Sequence, residues 1–86
     1  MDITIVWRNI LAHEGEDFRT VRGKPFSYTV YGDYLIINDD KRIRVTKSAL
    51  KASLEIPYPS PSKISAAGIW APSYIYGLIT DRRIIY

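Results

Sequence analysis

Several residue types that support common protein chemistries are missing from this chain of 86 residues. It has no cysteine, which excludes disulfides, thiol nucleophiles and cysteine-ligated metals. Its single histidine, His13, cannot supply the several nitrogen ligands that a histidine-based zinc site needs. There is no glutamine and only two asparagines, a depletion of thermolabile residues that is typical of hyperthermophile proteins. We therefore expect a heat-loving host, or a virus of one.

The chain also lacks an apolar run long enough to span a bilayer, since Arg8 interrupts the best one. The first residues, "MDITIVWRN", start with an acid and have no basic segment, which is not the pattern of a secretory signal. We expect a cytoplasmic protein without a membrane partner. The length predicts one domain over residues 1–86. With 47% hydrophobic residues, the chain can be stabilised by a dense core or by oligomerisation.

Apolar residues near the start predict an amphipathic helix. They recur with the spacing of one helix face: Ile3, Val6, Trp7, Ile10 and Leu11. Asp2 is a plausible N-cap, and Gly15 a plausible stop. The β-branched segment "ITIVW" also permits a strand, but the longer period favours the helix, with Ile5 as the misfit.

From residue 17 the apolar period changes to two, and four segments follow that have the alternation of short strands: 17–22, 26–31, 34–38 and 42–45. The Gly32-Asp33 pair between two of them suits a type II′ hairpin turn. These features predict an antiparallel meander of three or four strands. Its inward face would include Phe26, Tyr28 and Val30, whereas Tyr31 would point outward.

A second helix is predicted after the meander, with Thr46 as its N-cap and an end near Glu55. The "PYPSPS" segment at 57–62 predicts a stiff, extended connector, or less plausibly a ligand for an aromatic groove. A short helix is expected around 74–79, and "RRIIY" could add a strand. The overall prediction is an α+β fold in which a small antiparallel meander packs against an N-terminal helix, a middle helix and a short C-terminal helix. A winged-helix arrangement fits less well, because the hairpin precedes the best candidate recognition helix.

Charge is distributed unevenly along the chain. The net charge is +3, yet residues 19–51 hold eight of the twelve basic residues and three of the nine acids, so this window carries +5 and the rest carries −2. A strand of arginines that runs into a helix start could follow a phosphate backbone. We predict phosphate contacts from Arg22, Arg42, Arg44, Lys47 and Lys51, aided by free amides at Thr46, Lys47 and Ser48. The competing interpretation is that these residues only solvate the wet side of a strand and discourage aggregation at its edge.

The leading hypothesis is a nucleic-acid-binding accessory protein, with DNA preferred over RNA and a homodimer expected because it would double the basic surface. An outward Tyr31 could also stack on unpaired bases, although tyrosine is common in ordinary sheets. The alternative is a protein–protein interaction module that uses the aromatic segment 69–79 and the proline connector. For Trp70, core packing is the simpler interpretation.

Catalysis is not indicated by the sequence. His13, Glu14, Glu16 and Asp17 cluster in a connection where solvated acids are normal, and their spacing matches no metal motif. The phosphate-binding motifs GxxxxGK[ST] and GxGxxG are missing, and "GKP" at 23–25 is a turn signal. We expect no enzyme activity, no cofactor and no metal.

Overall fold

The computed structural model describes residues 2–86 and has the predicted α+β architecture. Over these residues the chain forms five helices and five short strands. In chain order they are α1 (Ile3–Ala12), β1 (Phe18–Arg19), β2 (Pro25–Phe26), β3 (Tyr28–Tyr31), β4 (Tyr34–Ile37), β5 (Arg44–Thr46), α2 (Lys47–Leu54), α3 (Pro61–Ala66), α4 (Pro72–Ile79) and α5 (Arg82–Ile85).

The N-terminal helix α1 forms as its pattern predicts. The Asp2 carboxylate accepts a hydrogen bond from the Thr4 amide at 2.8 Å, which satisfies one of the amides at the helix start that have no partner within the helix. Gly15 follows the helix with a φ of +84°, a conformation that glycine adopts without strain. Val6, Trp7 and Ile10 form the buried stripe. Leu11 was also expected in the stripe, but it is exposed because it lies at the edge of the buried face.

The strands pair as two sheets rather than one. β1 and β2 form a two-stranded antiparallel sheet, and β3, β4 and β5 form an antiparallel meander in that order. The predicted strand over 26–31 is divided at Ser27, whose amide donates to the side-chain oxygen of Asn38 at 3.1 Å. The Gly32-Asp33 turn joins β3 to β4, and Gly32 has a φ of +60°, as the first central residue of a type II′ turn requires.

Helix α2 begins at its predicted cap. The Thr46 hydroxyl accepts a hydrogen bond from the Ala49 amide at 3.0 Å, and the helix ends at Leu54, one residue before Glu55. Leu50 is fully buried beneath the sheet and Leu54 is half-buried, so this helix covers the inner face of the meander as expected.

Two predictions for the C-terminal half are wrong. The last two residues of the connector predicted over 57–62 belong instead to helix α3, which begins at Pro61, because the Ser60 hydroxyl accepts a hydrogen bond from the Lys63 amide at 3.2 Å and Pro61 takes the first helical position, where its missing N–H costs nothing. Residues 82–85 form helix α5 rather than a strand. Here the Asp81 carboxylate accepts a hydrogen bond from the Arg83 amide at 2.9 Å and starts the turn.

The core lies between the inner face of the meander and the helices. It contains Val6, Trp7, Ile10, Phe18, Phe26, Tyr28, Leu35, Ile37, Val45, Leu50, Ile64, Ile75, Leu78, Ile79 and Ile84. Gly77, which interrupts the helical pattern of α4, has a packing reason. A Cβ atom at this position would lie 2.7 Å from the carbonyl oxygen of Arg19, so only glycine lets α4 approach β1 this closely.

Candidate nucleic-acid interface

The outer face of the meander is the surface on which the predicted basic strand lies. Strand pairing places Tyr34 opposite Thr46 and Ile36 opposite Arg44, while β3 aligns Tyr31 with Tyr34 and Thr29 with Ile36. Because side chains alternate across a strand, these residues share one face. That face therefore carries Thr29, Tyr31, Tyr34, Ile36, Arg44 and Thr46, opposite the buried Tyr28, Leu35 and Val45.

Three side chains on this face form a continuous row. The Arg44 guanidinium carbon lies 4.4 Å from the centroid of the Tyr34 ring, the diagonal contact that antiparallel pairing permits. The Tyr34 ring in turn stacks against the Tyr31 ring, with centroids 6.0 Å apart and an interplanar angle of 24°. Tyr31 is 48% exposed, so the row ends in an accessible aromatic surface. The predicted outward orientation of Tyr31 is confirmed.

Lys47 and Lys51 lie on α2 beside Asp33 of the hairpin turn. They share one face of α2 and line a shallow hollow of about 320 Å³ together with Ile3, Asp33 and Ser48. The Lys47 ammonium lies 5.9 Å from the centroid of the Trp7 ring. Lys47 therefore points toward the α1 side of the sheet, whereas Arg44 lies on the outer side. Both border the hairpin end of the sheet from different sides: the Lys47 amide donates to Asp33 of the turn, and the Arg44 guanidinium stacks on Tyr34, the residue that follows the turn. We call Tyr31, Tyr34, Arg44, Lys47 and Lys51 the hairpin-end surface.

The cations of this surface have no carboxylate partners. Among residues 2–86, the ion pairs involve His13, Arg42 and Arg83, and neither Arg44, Lys47 nor Lys51 takes part in one. Asp33 lines the hollow beside both lysines without forming an ion pair with them. The hairpin-end surface therefore presents three cations and one nearby acid to the solvent.

The predicted free amides at the start of α2 need a correction. The Lys47 amide donates to the carbonyl oxygen of Asp33 at 2.8 Å, because the pairing of β4 with β5 continues into the first helical residue. The Ala49 amide donates its hydrogen bond to the Thr46 hydroxyl. The Lys47 amide is therefore not free for an anion, whereas the Ser48 amide beside it forms no hydrogen bond within residues 2–86.

Arg42 lies in the turn before β5, outside the strand in which it was predicted, and is bound to a neighbouring acid. Its Nε and Nη2 atoms each donate to the Asp40 carboxylate at 3.0 Å, and its amide donates to the same carboxylate. These bonds lower the pKa of Asp40 and raise that of Arg42. The Arg42 side chain is well exposed, but Asp40 compensates its charge locally.

Arg22 lies apart from the other four predicted residues. It is in the turn between β1 and β2 and lines a cleft of about 490 Å³. The other lining residues are Thr20, Val21, Lys24, Pro61, Ser62, Ser73 and Tyr74, none of which belongs to the hairpin-end surface. The basic residues thus do not form the single strip that their positions in the sequence suggested: Arg44, Lys47 and Lys51 surround one turn, and Arg42 and Arg22 are elsewhere.

The aromatic segment of the alternative hypothesis is partly buried and partly exposed. Tyr74 packs edge-on against Phe26, with ring centroids 5.2 Å apart. Trp70 is 72% exposed, so the expectation that it packs in the core is wrong. It follows α3 in a short connection and borders an apolar hollow of about 360 Å³ with Ile43, Ser65, Ile69, Ala71, Pro72 and Tyr74.

The cluster around His13 has structural partners. The Glu14 carboxylate accepts the Val30 amide at 2.6 Å, and Glu16 is paired with His13 at 2.8 Å and with Arg83 at 3.1 Å. The hydrogen bond from His13, followed by that from Arg83, lowers the pKa of Glu16. Within residues 2–86, no three potential metal ligands of the His, Asp or Glu type come together. The acids here tie the loop after α1 to β3 and to α5.

Fold and site together define a small α+β protein with an antiparallel three-stranded sheet whose outer face ends in an aromatic and basic surface. No protein-family model, curated protein or solved structure matches the chain. Over the described residues, no helix combines the length and the apolar character that a membrane crossing requires.

Proposed function

We propose that this protein binds nucleic acid, and DNA in preference to RNA, through the hairpin-end surface. The observation that carries the proposal is the grouping of Arg44, Lys47 and Lys51 around one turn, with no ion pair to any of them among residues 2–86. Cations that are not compensated within a protein gain most from a polyanion, because each phosphate they neutralise releases a condensed counterion. Contacts of this kind set affinity and position rather than sequence preference.

The three cations supply complementary contacts. Arg44 can stack on Tyr34 and still direct its N–H groups at phosphate oxygens, since a planar guanidinium donates in its own plane. Lys47 and Lys51 are four residues apart on α2, so they present two ammonium groups on one helix face. A backbone that passes the Gly32-Asp33 turn would meet Arg44 on one side and the lysines on the other.

Salt titration of DNA binding tests the proposal. With three phosphates neutralised, the plot of log affinity against log salt concentration should have a slope of about −2 to −3. Replacing the three cations together, Arg44→Glu/Lys47→Glu/Lys51→Glu, should abolish binding. The matched control is Arg82→Glu on α5, an exposed residue outside the surface. A folded triple variant that binds as the native protein does, with an unchanged slope, would remove the basis of the proposal.

A second function is favoured by the exposure of Trp70. A large aromatic ring that is 72% exposed beside an apolar hollow is typical of the central residue of a protein interface, and here we propose self-association into a homodimer. Trp70→Ala should then reduce the mass measured by sedimentation equilibrium from dimer to monomer. The control Tyr58→Ala removes an even more exposed ring outside the hollow. A native protein that is monomeric at all concentrations would exclude this interface.

A further inference from the structure

The hairpin-end surface contains a feature that phosphate binding does not use, namely the exposed aromatic end of the row. Tyr31 exposes about half of its surface although Tyr34 stacks beside it, and Tyr34 is in turn in contact with the Arg44 guanidinium. Phosphate contact requires only the cations. Exposure of a large aromatic ring at the end of a row that begins with an unpaired arginine points to a ligand that brings its own planar groups along with its charges.

We infer that the hairpin-end surface takes single-stranded DNA, with an unpaired base stacked on Tyr31 while the flanking phosphates contact Arg44 and the lysines. The inference rests on the proposed function and names the form of nucleic acid that the same surface selects. A base has a flat π face that stacks on tyrosine whatever its identity, so the contact adds affinity without sequence preference.

The stack is held rigidly before any ligand binds. Tyr31 and Tyr34 flank a two-residue turn and are paired with each other across β3 and β4. The far edge of β3 is also tied down, because the Glu14 carboxylate accepts the Val30 amide and the Tyr28 carbonyl accepts the Gly15 amide at 3.1 Å. The backbone that carries Tyr31 is thus hydrogen-bonded along both edges before a ligand binds, which lowers the backbone ordering cost of binding.

The same geometry disfavours a duplex. In double-stranded DNA both faces of each base are covered by neighbouring base pairs, and a side chain reaches a base face only if the stack is opened, which costs a few kcal/mol per step. A single strand offers its bases without that cost. Stacking on Tyr31 therefore strengthens the complex with a single strand and adds nothing to the complex with an intact duplex.

The charged groups on the outer face also favour nucleotide binding at its hairpin end. Asp39 lies at the opposite end, where its carboxylate is 3.5 Å from the Thr29 hydroxyl. Arg44 is aligned with Ile36 and Thr29, yet its guanidinium extends toward Tyr34 and the turn. The positive charge of the face is thus concentrated beside the exposed ring, which is where a stacked nucleotide would place its phosphates.

The test compares three DNA ligands by fluorescence anisotropy. They are an oligothymidylate of about 12 nucleotides, within the site sizes of single-strand-binding folds, an abasic phosphodiester strand of equal length and charge, and a duplex of equal length. The native protein should bind oligothymidylate at least about tenfold more tightly than the abasic strand, since stacking supplies the difference. The duplex should bind no more tightly than the abasic strand.

Variants at Tyr31 separate stacking from charge. Tyr31→Ala should lower the oligothymidylate affinity about tenfold and leave the abasic-strand affinity and the salt slope unchanged. Tyr31→Phe should bind as the native protein does, because it keeps the ring. Tyr31→Leu keeps apolar bulk without a π face and should behave as the alanine variant. Tyr86→Ala, which removes another exposed tyrosine on a different element, is the matched control.

The outcomes distinguish the two proposals. Oligothymidylate favoured over the abasic strand, with the preference lost in Tyr31→Ala, supports the inference. Equal binding of both strands by the native protein, with a salt slope that still responds to Arg44, overturns base stacking and leaves phosphate binding in place. A duplex bound as tightly as the single strand overturns the selectivity. If none of the three ligands binds, the proposed function fails and the inference fails with it.

Discussion

Arg83 and Arg44 both stack closely on aromatic rings, and they differ in what their N–H groups do. The Arg83 guanidinium carbon lies 3.9 Å from the centroid of Phe18, and that of Arg44 lies 4.4 Å from the centroid of Tyr34. Arg83 donates to the Asp81 carboxylate at 2.9–3.0 Å, to Glu16 at 3.1 Å and to the Asp17 carbonyl at 2.8 Å. Arg44 forms no ion pair with any of residues 2–86.

The difference indicates which basic residues hold the fold and which are available to a ligand. Arg83 joins α5 to the segment before β1, and the hydrogen bond with Asp81 raises its pKa. Its charge is used within the protein. Arg44 has an equivalent ring contact, but its donors face solvent, so a phosphate can take the place that carboxylates occupy at Arg83. Proximity of basic residues in the sequence does not separate these cases, whereas partner geometry does.

The largest effect is expected from removing Arg83. Arg83→Ala should lower the free energy of unfolding by about 2 kcal/mol, because several hydrogen bonds to charged or carbonyl groups are lost and the ring contact with Phe18 disappears. The neighbouring Arg82 lies 5.4 Å from the Tyr86 ring and forms no ion pair within residues 2–86, so Arg82→Ala should change stability by less than about 0.5 kcal/mol. Urea denaturation measures both. Equal losses in the two variants would show that the partners of Arg83 contribute little.

Arg44 should show the reverse pattern. Arg44→Ala should weaken DNA binding about tenfold, or about 1.4 kcal/mol, while its free energy of unfolding falls by less than about 1 kcal/mol, the usual worth of an exposed cation–ring contact. Arg83→Ala, assayed at a temperature where it is folded, should bind within about twofold of the native protein because Arg83 lies outside the hairpin-end surface. A loss of affinity in Arg83→Ala that matches the loss in Arg44→Ala would break the distinction between the two arginines.

Acid should lower the stability by weakening the Arg83 contacts, and this effect should be smaller than the effects of Arg83→Ala and Arg44→Ala. The hydrogen bond from Arg83 lowers the pKa of Asp81, and the bonds from His13 and Arg83 lower that of Glu16. A depressed carboxyl pKa contributes stability above the pKa of the unfolded chain, and this contribution is lost as the pH falls through the folded-state value. Lowering the pH below about 4 should therefore destabilise the native protein.

Asp81→Asn isolates this contribution. The variant should be less stable at neutral pH by about 1 kcal/mol, since a charge-assisted bond at the start of α5 is lost, and should show a weaker pH dependence between neutrality and acid. Thermal unfolding followed by circular dichroism at each pH measures the difference. An identical pH dependence in variant and native protein would assign the acid sensitivity to other groups.

Local signals in the sequence were sufficient for much of the fold. The stripe of α1 apart from Leu11, the glycine of the Gly32-Asp33 turn and the Thr46 cap each depend on residues a few positions apart, and these occur as predicted. Helix α3 was missed although Ser60 followed by Pro61 is a recognisable helix start, because the alternating prolines around it favoured an extended chain. Helix α5 was missed because "RRII" has the composition of a strand, while its position is fixed by contacts with residues almost seventy positions earlier.

The candidate site was less accessible to sequence analysis. The outward direction of Tyr31 followed from alternation, but the contact of Arg44 with Tyr34 depends on strand register, which the sequence left open. The pair formed by Asp40 and Arg42 was within reach, since the residues are two apart and Asp40 can accept from both the amide and the side chain. The hydrogen bond from the Lys47 amide to the Asp33 carbonyl oxygen could not be predicted, because it also depends on strand register. Recognising the pair formed by Asp40 and Arg42 would have removed Arg42 from the candidate site before the fold was known.

The most direct test of the central claim, that Arg44 is held ready on the outer face with its donors free, is the salt dependence of oligothymidylate binding by the native protein and by Arg44→Ala. The claim predicts that the log–log slope becomes shallower by about 0.7 in the variant, the change expected when a single-stranded ligand loses one phosphate contact. A slope that is the same in both proteins would contradict it, because Arg44 would then neutralise no phosphate.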